Sequence, residues 1–153
     1  MGQSQSLSTQ VEIQASPDTV RSVFMDFSRY NQWTNWTIVP IDSDKQPADL
    51  KPNDYLKVDI GGGMAFQPLV VENTSETFQW LGSLPVLFSG KHEFHFSSSN
   101  EHPGGTRVVQ LENFTGLLAF LMAPGWSMRQ STLERWDAFF VDLKKEVENP
   151  SAS

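Results

Sequence analysis

The chain contains no cysteine. That excludes disulfides, thiolate metal sites and cysteine nucleophiles, and it suits a reducing, cytoplasmic setting. Basic residues are scarce too: 11 Lys and Arg against 18 Asp and Glu leave a formal charge of −7. No basic cluster offsets this charge, so phosphate backbones and anionic membrane surfaces are repelled, and nucleic acid is set aside as a partner. No apolar run reaches the ~18–20 residues of a membrane helix, so no stable membrane insertion is expected. The opening MGQSQSLSTQ is too polar for a secretory leader. It does match the short acylation pattern M-G-x-x-x-S, whose single acyl chain would give only marginal membrane binding. The sequons at Asn35, Asn73 and Asn113 are read as chance matches. No internal repeat interrupts the chain.

What is present in quantity is aromatic: five Trp and eleven Phe in 153 residues. The length allows one domain with a substantial core. So many wide rings suit core packing and equally the walls of an apolar cavity. Residues 1–7 are expected as a flexible tail, 8–148 as a single domain and 149–153 as a second tail. Ser8–Gln14 alternates as a first strand. Ser16 as N-cap, Pro17 at the first helical position and Asp18 in the first turn then predict a helix with Val20, Val23, Phe24 and Phe27 on one face. Ser28 is placed to cap a second short helix carrying Tyr30, Trp33 and Trp36.

From Thr37 to Thr115 the pattern is of strands and turns: Thr37–Asp42, Asp54–Ile60, Ala65–Asn73, Thr77–Leu81, Ser89–Ser97 and Thr106–Thr115. Pro-, Gly- and Asn-rich turns separate them, so the sheet is expected to be antiparallel and strongly curved. The triple glycine at 61–63 reads as a flexible hairpin tip at a cavity rim. A long helix follows at about Ser127–Val147, with Leu133, Trp136, Phe140, Leu143 and Val147 as its apolar stripe. Ser127 with Gln130, or Ser131 with Glu134, has capping-box spacing. The helix is too apolar on one side to stand alone, and its natural partner is the concave face of the sheet. A long helix cannot fill a strongly bent sheet completely, so a cavity is expected between them.

One wall of that cavity carries polar groups. Period-2 geometry puts His92, Phe94 and Phe96 on one face of their strand, and Val108, Gln110, Glu112 and Phe114 on one face of the next. Polar groups on such a wall must be bonded, hydrated or functional, since burying them unpaired costs roughly 1–3 kcal/mol each. His92 reads either as a sheet histidine bonded to a neighbour or as a general acid/base or ligand donor. Glu112 reads either as a structural carboxylate or as a base for removing a proton next to a carbonyl. The register decides whether His92 faces Gln110 or Glu112. His95 is out of phase with His92 and faces the other side, and His102 falls in a loop, so no protein-supplied metal site is expected. Other candidates for lining a ligand are Tyr30, Trp33, Trp36, Phe66, Trp80, Phe94, Phe114, Leu133 and Trp136. The apolar run Leu117–Ala123, ending at Pro124-Gly-Trp126, reads as a buried connector or a lid. Arg129 reads as a surface charge or as a binder of a ligand carboxylate or enolate.

Several segments resemble the START/polyketide cyclase/pollen-allergen (SRPBCC) superfamily. Val11-Glu-Ile-Gln-Ala-Ser-Pro17, followed by Val20 and Phe24, is similar to its strand-to-helix entry. Asp26-Phe-Ser-Arg-Tyr30 with Trp33 is similar to its D-x-x-x-Y-x-x-W segment. Trp80-x-Gly82, Ser89-Gly-Lys-His92-x-Phe94, Gly105-Thr106 and Gln110-x-Glu112-x-Phe114-x-Gly116 resemble the polyketide cyclase/dehydrase branch. The resemblance covers roughly residues 8–147. It implies an α+β helix-grip fold, with about seven antiparallel strands wrapped on the long C-terminal helix and two short helices after the first strand. It also implies a hydrophobic small-molecule ligand and a monomer or homodimer. The expected chemistry is cyclisation, dehydration or isomerisation of a polyketide-like or other carbonyl-bearing intermediate, with no cofactor and with His92 and Glu112 moving protons. Carriage or sensing of a lipid or aromatic metabolite is the alternative, and the fold alone does not choose between them.

Overall fold

The computed structural model describes residues 4–61, 65–84 and 86–151. The acylation pattern at Gly2 and the tip glycines Gly62 and Gly63 lie outside them. Among the described residues eight strands form: β1 (Gln5–Ile13), β2 (Thr37–Pro40), β3 (Leu56–Asp59), β4 (Ala65–Phe66), β5 (Leu69–Asn73), β6 (Thr77–Leu84), β7 (Phe88–Ser98) and β8 (Thr106–Thr115). Two helices flank them, α1 (Pro17–Met25) and α2 (Ser127–Glu148). The strands pair in the orders β1-β8-β7-β6-β5 and β2-β3-β4, all antiparallel. A bridge between Tyr55 and Leu69 and the backbone bond Leu56 N–H to Pro68 O (2.9 Å) join the two sets. The predicted strand 65–73 is therefore two strands, divided at Gln67-Pro68, because proline has no N–H for a ladder bond.

Part of the expected N-terminal tail of residues 1–7 is strand. β1 begins at Gln5 and Leu7 is buried opposite Glu112, since an apolar side chain at inner-face parity gains by pairing. At the other end Ser151 folds back, its N–H and hydroxyl donating to the two Glu146 carboxylate oxygens at 3.0 and 2.9 Å.

α1 starts as its sequence demands: Ser16 Oγ accepts from the Thr19 N–H at 3.2 Å, with Pro17 in the first turn. Phe24 is buried from this helix into a cluster with Phe78, Phe94, Phe96 and Phe139. The second short helix is a 3-10 turn, Phe27–Gln32, preceded by Asp26 and not capped by Ser28. The Ser28 hydroxyl bonds Asp26 Oδ1 instead (3.1 Å), Trp33 closes the turn and Trp36 lies beyond it. α2 begins after Trp126 without a side-chain cap, so neither expected capping box forms. Ser127 is already inside the helix, where its hydroxyl cannot serve the cap position.

α2 lies along the concave face and is tied to β1 at its C-terminal end. Lys144 Nζ donates to Glu12 O at 2.8 Å, and the Gln14 N–H donates to Glu148 Oε2 at 2.8 Å. Its buried side chains Trp136, Phe139, Phe140, Leu143 and Val147 complete the core against the inner faces of β1, β6, β7 and β8. A long helix held in a wrapped antiparallel sheet is the helix-grip arrangement expected above.

Candidate functional site

The register places His92 directly opposite Glu112 on β8 and Trp80 on β6, while Phe94 faces Gln110 and Phe78. Two rows therefore cross the inner face. Trp80, His92, Glu112 and Leu7 form one; Phe78, Phe94, Gln110 and Thr9 form the next. His92 meets both Glu112 and Gln110. His92 Nδ1 lies 3.1 Å from Glu112 Oε1, and His92 Nε2 lies 3.0 Å from Gln110 Oε1.

The third link fixes the chemistry. Gln110 Nε2 donates to the Trp136 carbonyl of α2 at 3.2 Å, which turns Gln110 Oε1 toward His92. Both imidazole nitrogens then face acceptor oxygens. An imidazole nitrogen that carries a proton can donate to the oxygen it faces. Rings enclose the histidine: His92 is 2% exposed, with Phe94 stacked at 4.6 Å and Trp80 and Trp136 at 4.9 and 4.7 Å.

Glu112 reaches the histidine because β7 carries no side chain at Gly90. A Cβ there would collide with Glu112 Oε2 and come within 3.2 Å of the Phe114 ring. The signal was in the sequence: Gly90 has the same parity as His92 and Phe94, and a strand glycine marks a close approach. The second carboxylate oxygen has no hydrogen-bond partner among the described residues, and the Glu112 side chain keeps 14% exposure. Trp136 Nε1 and Thr9 Oγ1 are buried without partners. An unpaired buried N–H costs roughly 1–3 kcal/mol, so the indole donor is a natural place for a ligand or water acceptor.

The concavity is filled with rings where an open cavity was expected. Trp36, Trp80, Trp136, Phe94 and Phe139 are all buried there, because five large aromatics fill more of the curve than pattern reading credits. Trp36 stacks on Phe139 at 4.1 Å, a contact that helical periodicity does not encode. A cleft of about 240 Å³ opens between Asn35, Trp36, Ile60, Ser131, Glu134, Arg135 and Ala138. Another of about 520 Å³ lies between Pro17, Asp18, Ser75, Glu76 and the end of β7 from His95 to Ser98. Neither is lined by His92 or Glu112. Trp36 links the first cleft to the pair, its ring 6.5 Å from His92.

The remaining candidates divide. Tyr30 is buried and donates to Phe24 O at 2.5 Å, and burial pushes its phenol well above the usual range. Trp33 packs on Tyr30 and Phe139, and Leu133 rests half-buried against the core. Phe66 is on β4, over Gly82 and 6.5 Å from Trp80. Phe114 stacks on Phe88 at 5.2 Å, one pair beyond Glu112. Trp126 lies apart from this group, packed on Phe120 and half exposed. Arg129 donates to the carbonyls of Met122 (2.8 Å) and Ser6 (3.3 Å), so it fastens the connector to β1. His95 bonds Glu93 on the opposite face. Among the described residues no group of three or more His, Asp or Glu side chains is arranged to hold a metal ion.

This architecture recurs in solved structures. A hypothetical protein from Helicobacter pylori superposes with a TM-score of 0.72 at 16% identity, over 94% of this chain and 88% of that one. A START superfamily protein from Mycobacterium smegmatis gives 0.68 at 20% identity, over 95% and 99%. Norcoclaurine synthase from Thalictrum flavum, in complex with dopamine and hydroxybenzaldehyde, gives 0.68 at 8% identity, over 99% and 91%. The chain therefore has the α+β helix-grip fold that its START and SRPBCC resemblance implies. No family model and no curated protein matches its sequence.

Proposed function

We propose that this protein binds a hydrophobic small molecule between the inner sheet face and α2, with the His92–Glu112 pair meeting the ligand's polar group. One observation carries the reading. A Glu112–His92–Gln110 cluster, with His92 Nε2 hydrogen-bonded to Gln110 and Nδ1 3.1 Å from the Glu112 carboxylate, sits inside an aromatic shell beside an indole N–H that has no partner. A core built only to pack gains nothing from such a cluster. Entry is from the cleft at Trp36, whose ring separates the cleft from the pair. The Trp136 N–H donates to a ligand carbonyl oxygen, and Glu112 Oε2 takes a proton from the carbon beside that carbonyl. His92 holds the carboxylate in place, which makes it a positioning residue in this scheme. The class of reaction is cyclisation, dehydration or isomerisation of a carbonyl-bearing, polyketide-like intermediate. The norcoclaurine synthase complex supports the reading to the extent that the same fold there holds two aromatic molecules.

A second reading, a carrier or sensor of a lipid or aromatic metabolite, is favoured by one specific fact. Both ring nitrogens of His92 are already engaged and the ring is shut off from solvent. Mass spectrometry after gentle purification tests the shared part: a bound hydrophobic metabolite is expected, and a ligand-free interior counts against both readings. Glu112→Gln separates them. Lost turnover with retained binding supports chemistry, and unchanged handling of the metabolite supports carriage.

A further inference from the structure

The connector between β8 and α2 is neither simply buried nor a lid on the His92 site. It projects at the hairpin end of the domain beside the β6–β7 turn. The N–H groups of Leu117 and Leu118 donate to the carbonyls of Val86 and Leu87 at 3.2 and 2.8 Å, which locks the two loops together. Their side chains face outward: Val86 is 79% exposed, Leu117 63%, and Trp126 and Met128 47% each. Leu87 and Phe120 are exposed among them. Val86 has a φ of 70°, and Gly125, with φ of 92°, has no heavy atom within 4 Å of where a Cβ would stand.

Charge separates this end from the rest of the molecule. From Leu117 to Met128 there is no charged residue, although charged residues are 19% of the chain. Arg129 marks the border, and its Nη1 donates to the backbone carbonyls of Ser6 and Met122. We propose that these two loops dock the protein reversibly on a lipid surface with zwitterionic headgroups. Tips rich in Leu, Phe, Met and Trp match the headgroup and upper acyl region, where Trp in particular is favoured. The chain's charge of −7 turns it away from anionic lipid. A second copy fits less well, because a stable dimer contact uses roughly 20–30 residues a side and this patch is two loop tips. Among the described residues no helix is long and apolar enough to cross a membrane, so the contact is shallow.

The patch also adjoins the interior. Along β7, Phe88 at the turn lies four residues from His92, roughly 13 Å at strand spacing. Docking here would set that end of the sheet toward the phase in which a hydrophobic molecule dissolves. The docking itself does not depend on what the interior does.

Trp126 is the built-in reporter, since it is exposed while Trp36, Trp80 and Trp136 are buried and Trp33 is partly buried against the core. The experiment mixes the full chain with vesicles of pure phosphatidylcholine, following co-sedimentation and tryptophan emission. The expected result is partitioning with a blue shift that Trp126→Phe removes. Leu117→Asp and Phe120→Asp should each weaken partitioning by about tenfold or more. Val141→Asp, at an exposed apolar position on α2, should leave it unchanged. Thermal midpoints confirm that each variant folds. The proposal is overturned if the parent does not partition, or if Leu117→Asp binds as the parent does. Stronger binding to phosphatidylserine vesicles overturns it as well. So does a parent dimer that Leu117→Asp abolishes, which would make the patch a contact between copies.

Discussion

β7 carries two histidine–glutamate pairs, and they are opposites. On the inner face His92 meets Glu112 across the strand pair at 3.1 Å; on the outer face His95 meets Glu93 of its own strand at 2.9 Å. The groups and distances are nearly the same. The surroundings are not: the His92 side chain is 3% exposed and sits among aromatic rings, while the His95 side chain is 39% exposed. In water the outer pair competes with solvent and salt and is worth little. In the interior the same pair is costly to bury and more costly to break, because a lone partner has no water to turn to. Burial, more than contact distance, therefore decides which pair shapes the protein.

Removing each histidine tests that contrast most strongly. His92→Ala leaves Glu112 and the Gln110 oxygen unpaired under the rings, with an expected loss of about 3 kcal/mol in urea unfolding. A loss below that of an ordinary surface change would break the comparison. Gly90→Ala acts on the inner pair from outside it, since the new methyl must turn the Glu112 carboxylate away from His92. About 1–2 kcal/mol should be lost, and the His92 ring N–H signals in the nitrogen-15 spectrum should move while those of His95 stay.

A third pair, Lys45 with Asp54, calibrates the scale. Lys45 Nζ contacts both Asp54 oxygens at 2.8 and 2.7 Å. The Lys45 side chain, followed by the Lys51 backbone N–H, holds the Asp54 carboxyl below the usual range. A carboxyl lowered in the folded state binds its proton more readily when unfolded. It therefore adds stability above its ordinary pKa, and that stability is lost as pH falls through the folded value. Stability should decline below the ordinary carboxylate range, and Asp54→Asn should flatten that decline; an unchanged acid slope would remove Asp54 from the explanation. The smallest effect is on the outer pair, where His95→Ala should shift stability by no more than about 0.5 kcal/mol.

Much of this contrast was legible from strand parity alone. Alternation assigned His92, Gln110 and Glu112 to one wall and His95 to the other, because the period of a strand leaves no freedom in that choice. The order of strands and helices was equally readable from turn residues and the α2 stripe. Register was not: a shift of one pleat preserves every hydrophobic position, so pattern could not decide between Gln110 and Glu112. The filling of the concavity was also hidden. It depends on how Trp36 and Phe139 stack, and a period does not encode the rotamers of two rings. The backbone carbonyls of Ser6 and Met122 that Arg129 meets leave no mark in the sequence either.

The measurement that bears most directly on an interior ligand site is the indole N–H resonance of Trp136, assigned by Trp136→Phe. Spectra would be recorded before and after the co-purified hydrophobic molecule is extracted and then returned. A shift of the Trp136 signal that reverses on return, with Trp126 unmoved in the absence of lipid, is the expected result. A Trp136 signal indifferent to extraction, or protein that never carries such a molecule, would contradict a ligand at the His92–Glu112 pair.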